Sequence, residues 1–532
     1  MNMSACVDLL YQDTLTVVFQ SLSIQDRISA ACTHKKWLLS AYNTRNCNDY
    51  IVFESDKIDT IRHAYKSPFF KHITSLGFQN KSRDEENSLL FASAIADVMQ
   101  HIAHLVKELF FFGRSFPDNG FALILGDGFK NSHSLTEVDI SSCTIGKCSA
   151  KALANLIRQN PKLQILDICR TKMKTEDLEL VLDAIESNDS LTNLNVSNNA
   201  LNSQGFKLLT KSLKNHATLH TLNLYNNKLQ SDDDAGTLVD LLQNNHTLTN
   251  INLSKMGINQ FNVEYISKSF QAIKTLDLSL NELDSPGVEI LTQVLKSKVC
   301  ITSLNLSSTL MKTKGMTVIS KLIETSKSIK YLDVSNNQFD DQGTVELCKL
   351  IKANHPWLQT LYCNSIMFSS QDRAKLFESI KFNTNLTELS IRNINIGDDI
   401  NKLAMSLQSN TSIKRLNVSN NKLGSKGIEI LLDYIRTNQS ITSLHLNENA
   451  ITSTGFQAFA DYIKHNSTIK NAGISSNIMC MQDVKILIDA LSFNTSLAVL
   501  GMHWCTEDEI IKRMLRSFEK ERQKICQTCI WF

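Results

Sequence analysis

A period of 28 residues runs through most of this 532-residue chain. Each copy follows the template L-x-x-L-x-L-x-x-N, as in LTNLNVSNN (191–199) and IKRLNVSNN (413–421). Steps between copies range from 25 to 29 residues, and weaker copies begin near Ile73 and Val106. The first apolar residues of the stronger copies are Leu135, Leu163, Leu191, Leu219, Leu248, Ile273, Ile301, Ile329, Leu358, Leu386, Ile413, Ile441, Ile469 and Leu497. A period of this length predicts a stack of small units of similar structure that share one continuous core.

The template itself predicts what each unit contains. Apolar residues at the first, fourth and sixth places suit a short strand that buries one side, and Asn at the ninth place can satisfy buried backbone groups. The remainder of each copy has apolar residues at intervals of three and four, which indicates a helix with one buried face. This pattern resembles the leucine-rich repeat of the ribonuclease-inhibitor-like subclass. The resemblance implies an α/β solenoid over residues 73–505, with about 16 repeats in a horseshoe, parallel strands inside and helices outside.

The N-terminal 48 residues do not follow the repeat, and their apolar stripe on short helices predicts a compact helical domain that needs a partner surface. The order of residues resembles the F-box, although Tyr11, Thr14 and Arg27 depart from its usual pattern. The resemblance implies that this domain binds the Skp adaptor of a cullin-type ubiquitin ligase. The adaptor-binding residues would be Leu10, Leu15, Val18, Phe19, Leu22 and Trp37. The alternative is a helical cap that shields the open end of the solenoid. Residues 49–72 are interpreted as a connecting segment.

The last four residues, Cys529-Ile530-Trp531-Phe532, resemble a C-a-a-X prenylation signal. Cys526 could carry a second acyl chain, and six basic residues outweigh two acidic ones between 512 and 524. A lipid together with a basic patch gives stable membrane anchoring, so we expect the protein on the cytoplasmic face of a membrane. Residues 506–525 are predicted to form a C-terminal capping helix, and 526–532 a tail that contains this motif. The alternative is a cytosolic protein in which the tail carries no lipid.

Composition adds few constraints on function. A net charge of +2 does not favour nucleic acid as a partner, and 13 scattered cysteines suit a reducing compartment. The start of the chain lacks a signal-peptide pattern, and no apolar run is long enough to span a membrane. The chain contains no phosphate-binding loop, zinc-protease or nucleophile-elbow motif. We therefore expect neither an enzyme nor a cofactor or metal site.

Binding residues are expected on the concave strand face, at the third, fifth and seventh places of each copy. Most of these places hold Asn, Asp, Ser or Thr, but later copies differ. The candidates for target binding are Tyr331, Tyr362, Arg392, Arg415 and His445. Tyr and Arg are enriched among binding hot spots, whereas the simpler interpretation is that these are ordinary solvated strand residues.

The three features together resemble effectors that intracellular bacterial pathogens deliver into eukaryotic hosts. That resemblance implies a non-catalytic substrate receptor that recruits a ubiquitin ligase, binds a target protein on its repeats and is prenylated by the host. The alternative is a plain regulatory binding protein, or a GTPase-activating protein similar to the Ran activator, with no link to ubiquitin.

Overall fold

The computed structural model describes residues 51–55, 74–113, 116–297, 300–505, 508, 510–515 and 529–531. The chain divides into two compact units. Unit 1 comprises residues 1–257 and 268–273, and unit 2 comprises residues 258–267 and 274–532. Among the described residues, no helix combines the length and apolarity needed to cross a membrane.

Unit 1 alternates short strands with helices. Its strands are β1 (Ile51–Glu54), β2 (Ser75–Asn80), β3 (Glu108–Gly113), β4 (Glu137–Asp139), β5 (Ile165–Asp167), β6 (Asn193–Asn195), β7 (Thr221–Asn223) and β8 (Asn250–Asn252). Its helices are α1 (Glu85–Ile102), α2 (Asp118–Leu123), α3 (Lys147–Gln159), α4 (Thr175–Glu186), α5 (Ser203–Leu213) and α6 (Asp232–Asn244). Each strand pairs in parallel with the next one along the chain. The described sheet therefore includes a strand inside the segment that the sequence pattern assigns to a connection (49–72).

Unit 2 repeats the same arrangement. Its strands are β9 (Thr275–Asp277), β10 (Ser303–Asn305), β11 (Tyr331–Asp333), β12 (Thr360–Tyr362), β13 (Glu388–Ser390), β14 (Arg415–Asn417), β15 (Ser443–His445), β16 (Asn471–Gly473), β17 (Val499–Gly501) and β18 (Cys529–Trp531). Most of α7 (Val263–Lys268) belongs to it, together with α8 (Asp284–Leu295), α9 (Thr313–Thr325), α10 (Asp341–Lys352), α11 (Ser370–Phe382), α12 (Ile400–Ser409), α13 (Gly424–Ile435), α14 (Ser453–His465) and α15 (Met481–Phe493). Successive strands again pair in parallel, from β9 to β18.

The apolar template explains how strands and helices pack. The middle residue of each three-residue strand, such as Leu332, Leu361 and Leu389, is buried against the helices. The two flanking residues are mostly half-buried and lie on the opposite side of the sheet, because side chains alternate along a strand. We call this side the open face. The predicted combination of parallel strands and helices is confirmed, and it leaves the open face available for function.

Asparagines at the ninth place bond each repeat to its neighbours. Asn449 donates its Nδ2 to the carbonyl oxygens of Val418 and Leu446 at 3.1 Å each, and its Oδ1 accepts the N–H of Asn421 at 2.8 Å. Asn477 makes the equivalent bonds one repeat later. Both side chains are buried, so each amide replaces water for backbone groups that the turn leaves unpaired.

A second row of asparagines, which the nine-residue template does not include, lies where each helix returns to the next strand. Asn438 donates to the carbonyl oxygens of Leu407 at 2.8 Å and Asn410 at 2.9 Å, and accepts the N–H of Ile441 at 3.0 Å. Equivalent donor bonds are made by Asn245, Asn383, Asn410 and Asn494. The two rows together hold both ends of the strands in register.

We expect Asn449→Ala to lower the free energy of unfolding by about 2 kcal/mol or more, because it leaves several buried backbone groups without a partner. The matched control is Asn401→Ala, since Asn401 is exposed near the start of α12 and the change should cost less than about 0.5 kcal/mol. Urea unfolding followed by circular dichroism measures both variants. Equal stability of the two variants would contradict a structural role for the ninth-place asparagine.

Candidate protein-binding site

The candidate target-binding residues lie on, or directly after, five successive strands of unit 2. Tyr331 and Arg415 are the first residues of β11 and β14, whereas Tyr362 and His445 are the last residues of β12 and β15. Arg392 lies two residues beyond the end of β13. The five residues therefore occupy different places in their copies, and they do not form a single line of paired residues across the open face.

Two tyrosine rings form one end of the site. The ring centroids of Tyr331 and Tyr362 are 5.2 Å apart at an angle of 71°, an edge-to-face contact. Burial raises the pKa of the Tyr362 phenol to about 12, and its hydroxyl also donates a hydrogen bond to the Glu388 carboxylate. Burial likewise raises the pKa of Tyr331. Both phenols stay protonated near neutral pH and present rigid aromatic surface.

Glu388 is the central residue of the site, although the sequence pattern did not single it out. One carboxylate oxygen accepts from Tyr362, and the other accepts from Nε of Arg415 at 2.7 Å and from its Nη2. Only 19% of the Glu388 side chain is exposed, compared with 56% for Arg415. The bond to Glu388 raises the pKa of Arg415. A partly buried carboxylate thus fixes the orientation of a tyrosine and an arginine that reach solvent.

The strand register contains a signal for this residue. Glu388 is at the third place of its copy, directly beside Arg415 in the pairing of β13 with β14. Adjacent residues of opposite charge on one face of a sheet attract each other. A search for charge pairs one repeat apart would have found this pair in the sequence.

Arg392 is held from two sides. Its main-chain N–H donates to Oδ1 of Asn364 at 2.8 Å, and the same oxygen accepts from the Ser390 hydroxyl at 2.6 Å. Its guanidinium bonds Glu448 through Nη2, while 44% of the Arg392 side chain remains exposed. These contacts fix the base of the side chain and leave much of the guanidinium in solvent.

His445 lies against the next strand. Its Nε2 is 3.3 Å from the hydroxyl of Ser443, and a Cβ at Gly473 would lie 2.8 Å from its Nδ1. Glycine at position 473 therefore makes room for the imidazole. Burial lowers the pKa of His445, and Glu388 only partly offsets this, so the ring is neutral near pH 7.

These side chains share a cleft of about 270 Å³. Its lining includes Tyr362, Glu388, Arg392, Arg415 and His445, while Tyr331 adjoins it through the Tyr362 ring. Hence the structure brings all five sequence-derived candidates into one neighbourhood. Among the described residues, no group of His, Cys, Asp and Glu could hold a metal ion.

The remaining site predictions concern the two ends of the chain. The adaptor-binding candidates Leu10, Leu15, Val18, Phe19, Leu22 and Trp37 lie outside the described residues, and so does Cys526. Cys529, the candidate lipidation site, is the first residue of β18 and pairs with Val499 of β17.

Comparison with known proteins supports the repeat. The family model described as Leucine Rich repeat matches five stretches of the chain, residues 131–154, 272–291, 325–348, 409–431 and 437–460. No curated protein sequence matches the chain. Together with the alternating strands and helices, these matches define the chain as an α/β leucine-rich-repeat solenoid.

Solved structures with a similar arrangement include three with low sequence identity. The TLR13–ssRNA13 complex is 16% identical with a TM-score of 0.44, and the match covers 83% of this chain. This chain spans only 54% of that one. The Rad7 and Elc1 complex of yeast is 15% identical over 66% of this chain and 87% of that chain, with a TM-score of 0.44. Internalin InlF of Listeria monocytogenes is 17% identical over 68% and 80% of the two chains, with a TM-score of 0.29.

Proposed function

We propose that this protein is a non-catalytic receptor that binds a target protein on the open face of β11–β15. The observation that carries the proposal is the cleft that Tyr362 lines together with two partly exposed guanidiniums, with the Tyr331 ring packed on Tyr362. Aromatic and arginine side chains dominate the energetics of protein interfaces. Glu388 bonds Tyr362 and Arg415, and Glu448 bonds the Arg392 guanidinium, so three of these groups are held in place before any partner arrives, which lowers the entropy cost of binding.

The dimensions of the site suit a protein partner. Five parallel strands about 4.8 Å apart place the site along a strip of roughly 20 Å. Such a strip could form the centre of a standard interface, which covers about 800 Å² on each partner. The open face continues on both sides of it, so a target has room to form a rim of weaker contacts.

The chemistry of the site supports binding over catalysis. The Tyr331 and Tyr362 phenols have raised pKa values, and the imidazole of His445 has a lowered one with a serine hydroxyl as its bonded neighbour. Outside the cleft, burial also raises the pKa of the Cys348 thiol of α10 to about 12, which keeps it protonated and poorly nucleophilic.

For target binding, we expect Tyr362→Ala/Arg415→Ala to cost at least about 2 kcal/mol, since both side chains lie at the centre of the cleft. The control Lys321→Ala/Glu324→Ala alters two exposed residues of α9 and should change affinity by less than about 0.5 kcal/mol. Affinity purification from eukaryotic cells would supply candidate targets, and calorimetry with each purified target gives the affinities. Equal losses in the two variants, with unchanged melting temperatures, would refute this location.

We further propose that the N-terminal domain recruits the Skp adaptor of a cullin ubiquitin ligase. This part of the proposal rests on the F-box-like order of Leu10, Asp13, Leu15, Phe19 and Trp37. A receptor that couples a ligase adaptor to a repeat-bound target would direct ubiquitin to that target. The combination fits an effector that a bacterium delivers into a eukaryotic host.

Leu10→Ala/Phe19→Ala should abolish copurification of the Skp adaptor and leave the repeats folded, because these side chains would face the adaptor. Tagged wild-type and variant chains, expressed in eukaryotic cells, are compared by immunoblot for the adaptor and cullin. Absence of both proteins from the wild-type sample would favour a cap of the solenoid as the role of this domain.

Prenylation of Cys529 would place the receptor on a membrane. Support comes from the C-a-a-X pattern and from the basic excess between residues 512 and 524. In the structure, residues 529–531 pair with β17. An enzyme that modifies the Cys529 thiol needs the end of the chain free, so lipidation requires this short strand to separate from the sheet.

Cys529→Ser should move the protein from the membrane fraction to the cytosol of eukaryotic cells, since a basic patch alone is screened by salt. Cell fractionation reports location, and mass spectrometry of the intact wild-type protein reports the lipid. Cys480→Ser is the control, because Cys480 is an exposed thiol far from the C-terminus in sequence. Membrane retention of the Cys529 variant, with no lipid on the wild type, would exclude prenylation.

A further inference from the structure

The charges on and beside the strands near the cleft differ from those on and beside other strands. The copies that contain β11–β16 hold five cationic residues and three carboxylates between their second and eighth template places. The cations are Lys330, Arg392, Lys414, Arg415 and Lys470, and the carboxylates are Asp333, Glu388 and Glu448. All five cations are exposed.

The carboxylates are less available than the cations. Asp333 is 9% exposed, and its burial raises its pKa. Glu388 is engaged by Tyr362 and Arg415, and Glu448 by Arg392. In each ion pair the arginine is the more exposed partner. The surface that a partner meets is therefore positive.

Both arginines also retain donors for a partner. Arg415 uses Nε and Nη2 for Glu388, and Arg392 uses Nη2 for Glu448. Among the described residues, no hydrogen bond occupies Nη1 of either guanidinium. Two half-exposed guanidiniums with spare donors line one cleft, and a carboxylate is the acceptor with which guanidinium donors form their strongest hydrogen bonds.

Strands β3–β5 of unit 1 have the opposite character. Glu108 and Glu137 are adjacent in the pairing of β3 with β4, and Asp139 is adjacent to Asp167 in that of β4 with β5. Burial raises the pKa of Glu137, and these neighbouring carboxylates raise it further. An acidic partner would be repelled there, so charge would direct it to β11–β16.

Resting on the proposed binding function, we infer that the target presents an acidic peptide segment to β11–β16. One Asp or Glu side chain of the segment enters the cleft between Arg392 and Arg415. The exposed lysines Lys330, Lys414 and Lys470, each one residue before its strand, attract further carboxylates. The tyrosine rings contact the apolar residues that flank the acidic group.

A library of random 12-residue peptides displayed on phage tests this inference with the full-length protein as bait. We expect selected peptides to be enriched in Asp and Glu, and their affinity to fall as salt is added. Synthetic copies of the enriched peptides should bind Arg392→Gln/Arg415→Gln at least about tenfold more weakly. The matched control is Lys321→Gln/Lys426→Gln, which removes the same charge from exposed residues of α9 and α13 and should change affinity by less than about twofold.

The outcomes separate the inference from the function on which it rests. Selected peptides without acidic enrichment that still require Tyr362 would overturn the acidic segment and leave the binding face in place. Acidic peptides that bind both glutamine variants equally well would overturn the cleft as their site. Failure to select any peptide that depends on Tyr362, Arg392 or Arg415 would overturn both proposals.

Discussion

The repeat depends on the hydrogen bonds that asparagine side chains make to the backbone. A strand of three residues forms few hydrogen bonds to its neighbours. At both of its ends the chain turns away from the sheet, and backbone N–H and C=O groups in these turns are still buried. Asn449 at one end and Asn438 at the other donate to carbonyl oxygens of neighbouring turns and accept N–H groups in return. An unpaired buried amide costs about 1–3 kcal/mol, so a stack of such turns without these side chains would not be stable. The uniform spacing of the strands, and with it the open face, follows from this constraint.

The candidate site uses that uniform spacing. Adjacent strands keep the residues of the same place side by side, as in the alignment of Glu388 with Arg415. A carboxylate set partly below the surface can therefore hold groups from two neighbouring strands, Tyr362 of β12 and Arg415 of β14. Glycine at position 473 has the complementary role, because its lack of a side chain lets His445 lie against the next strand. The site therefore results from side chains that differ among the copies, on strands whose spacing is the same in every copy.

Much of the fold was predictable, because residues that are one 28-residue period apart occupy the same place in the template and have the same environment. The strands around Leu332, Leu361 and Leu389 and the ninth-place asparagines lie where the template places them. The nine-residue template predicts neither the second asparagine row nor the strand Ile51–Glu54. Asn438 lies outside the nine-residue template, and the segment around β1 shows no clear copy of it, although it pairs with β2. Pairing with an existing strand supplies order that local sequence does not encode.

The sequence by itself determined the repeat, the buried apolar positions and the residue types on the open face. These follow from periodicity, because each place in the template has one environment. Only the tertiary structure decided which exposed residues touch: the contact of Tyr331 with Tyr362, the central place of Glu388 and the pairing of Arg392 with Glu448. Those contacts join residues 26 to 56 positions apart. The geometry of these contacts depends on side-chain lengths and burial at one location. A pattern averaged over many copies contains no information about either.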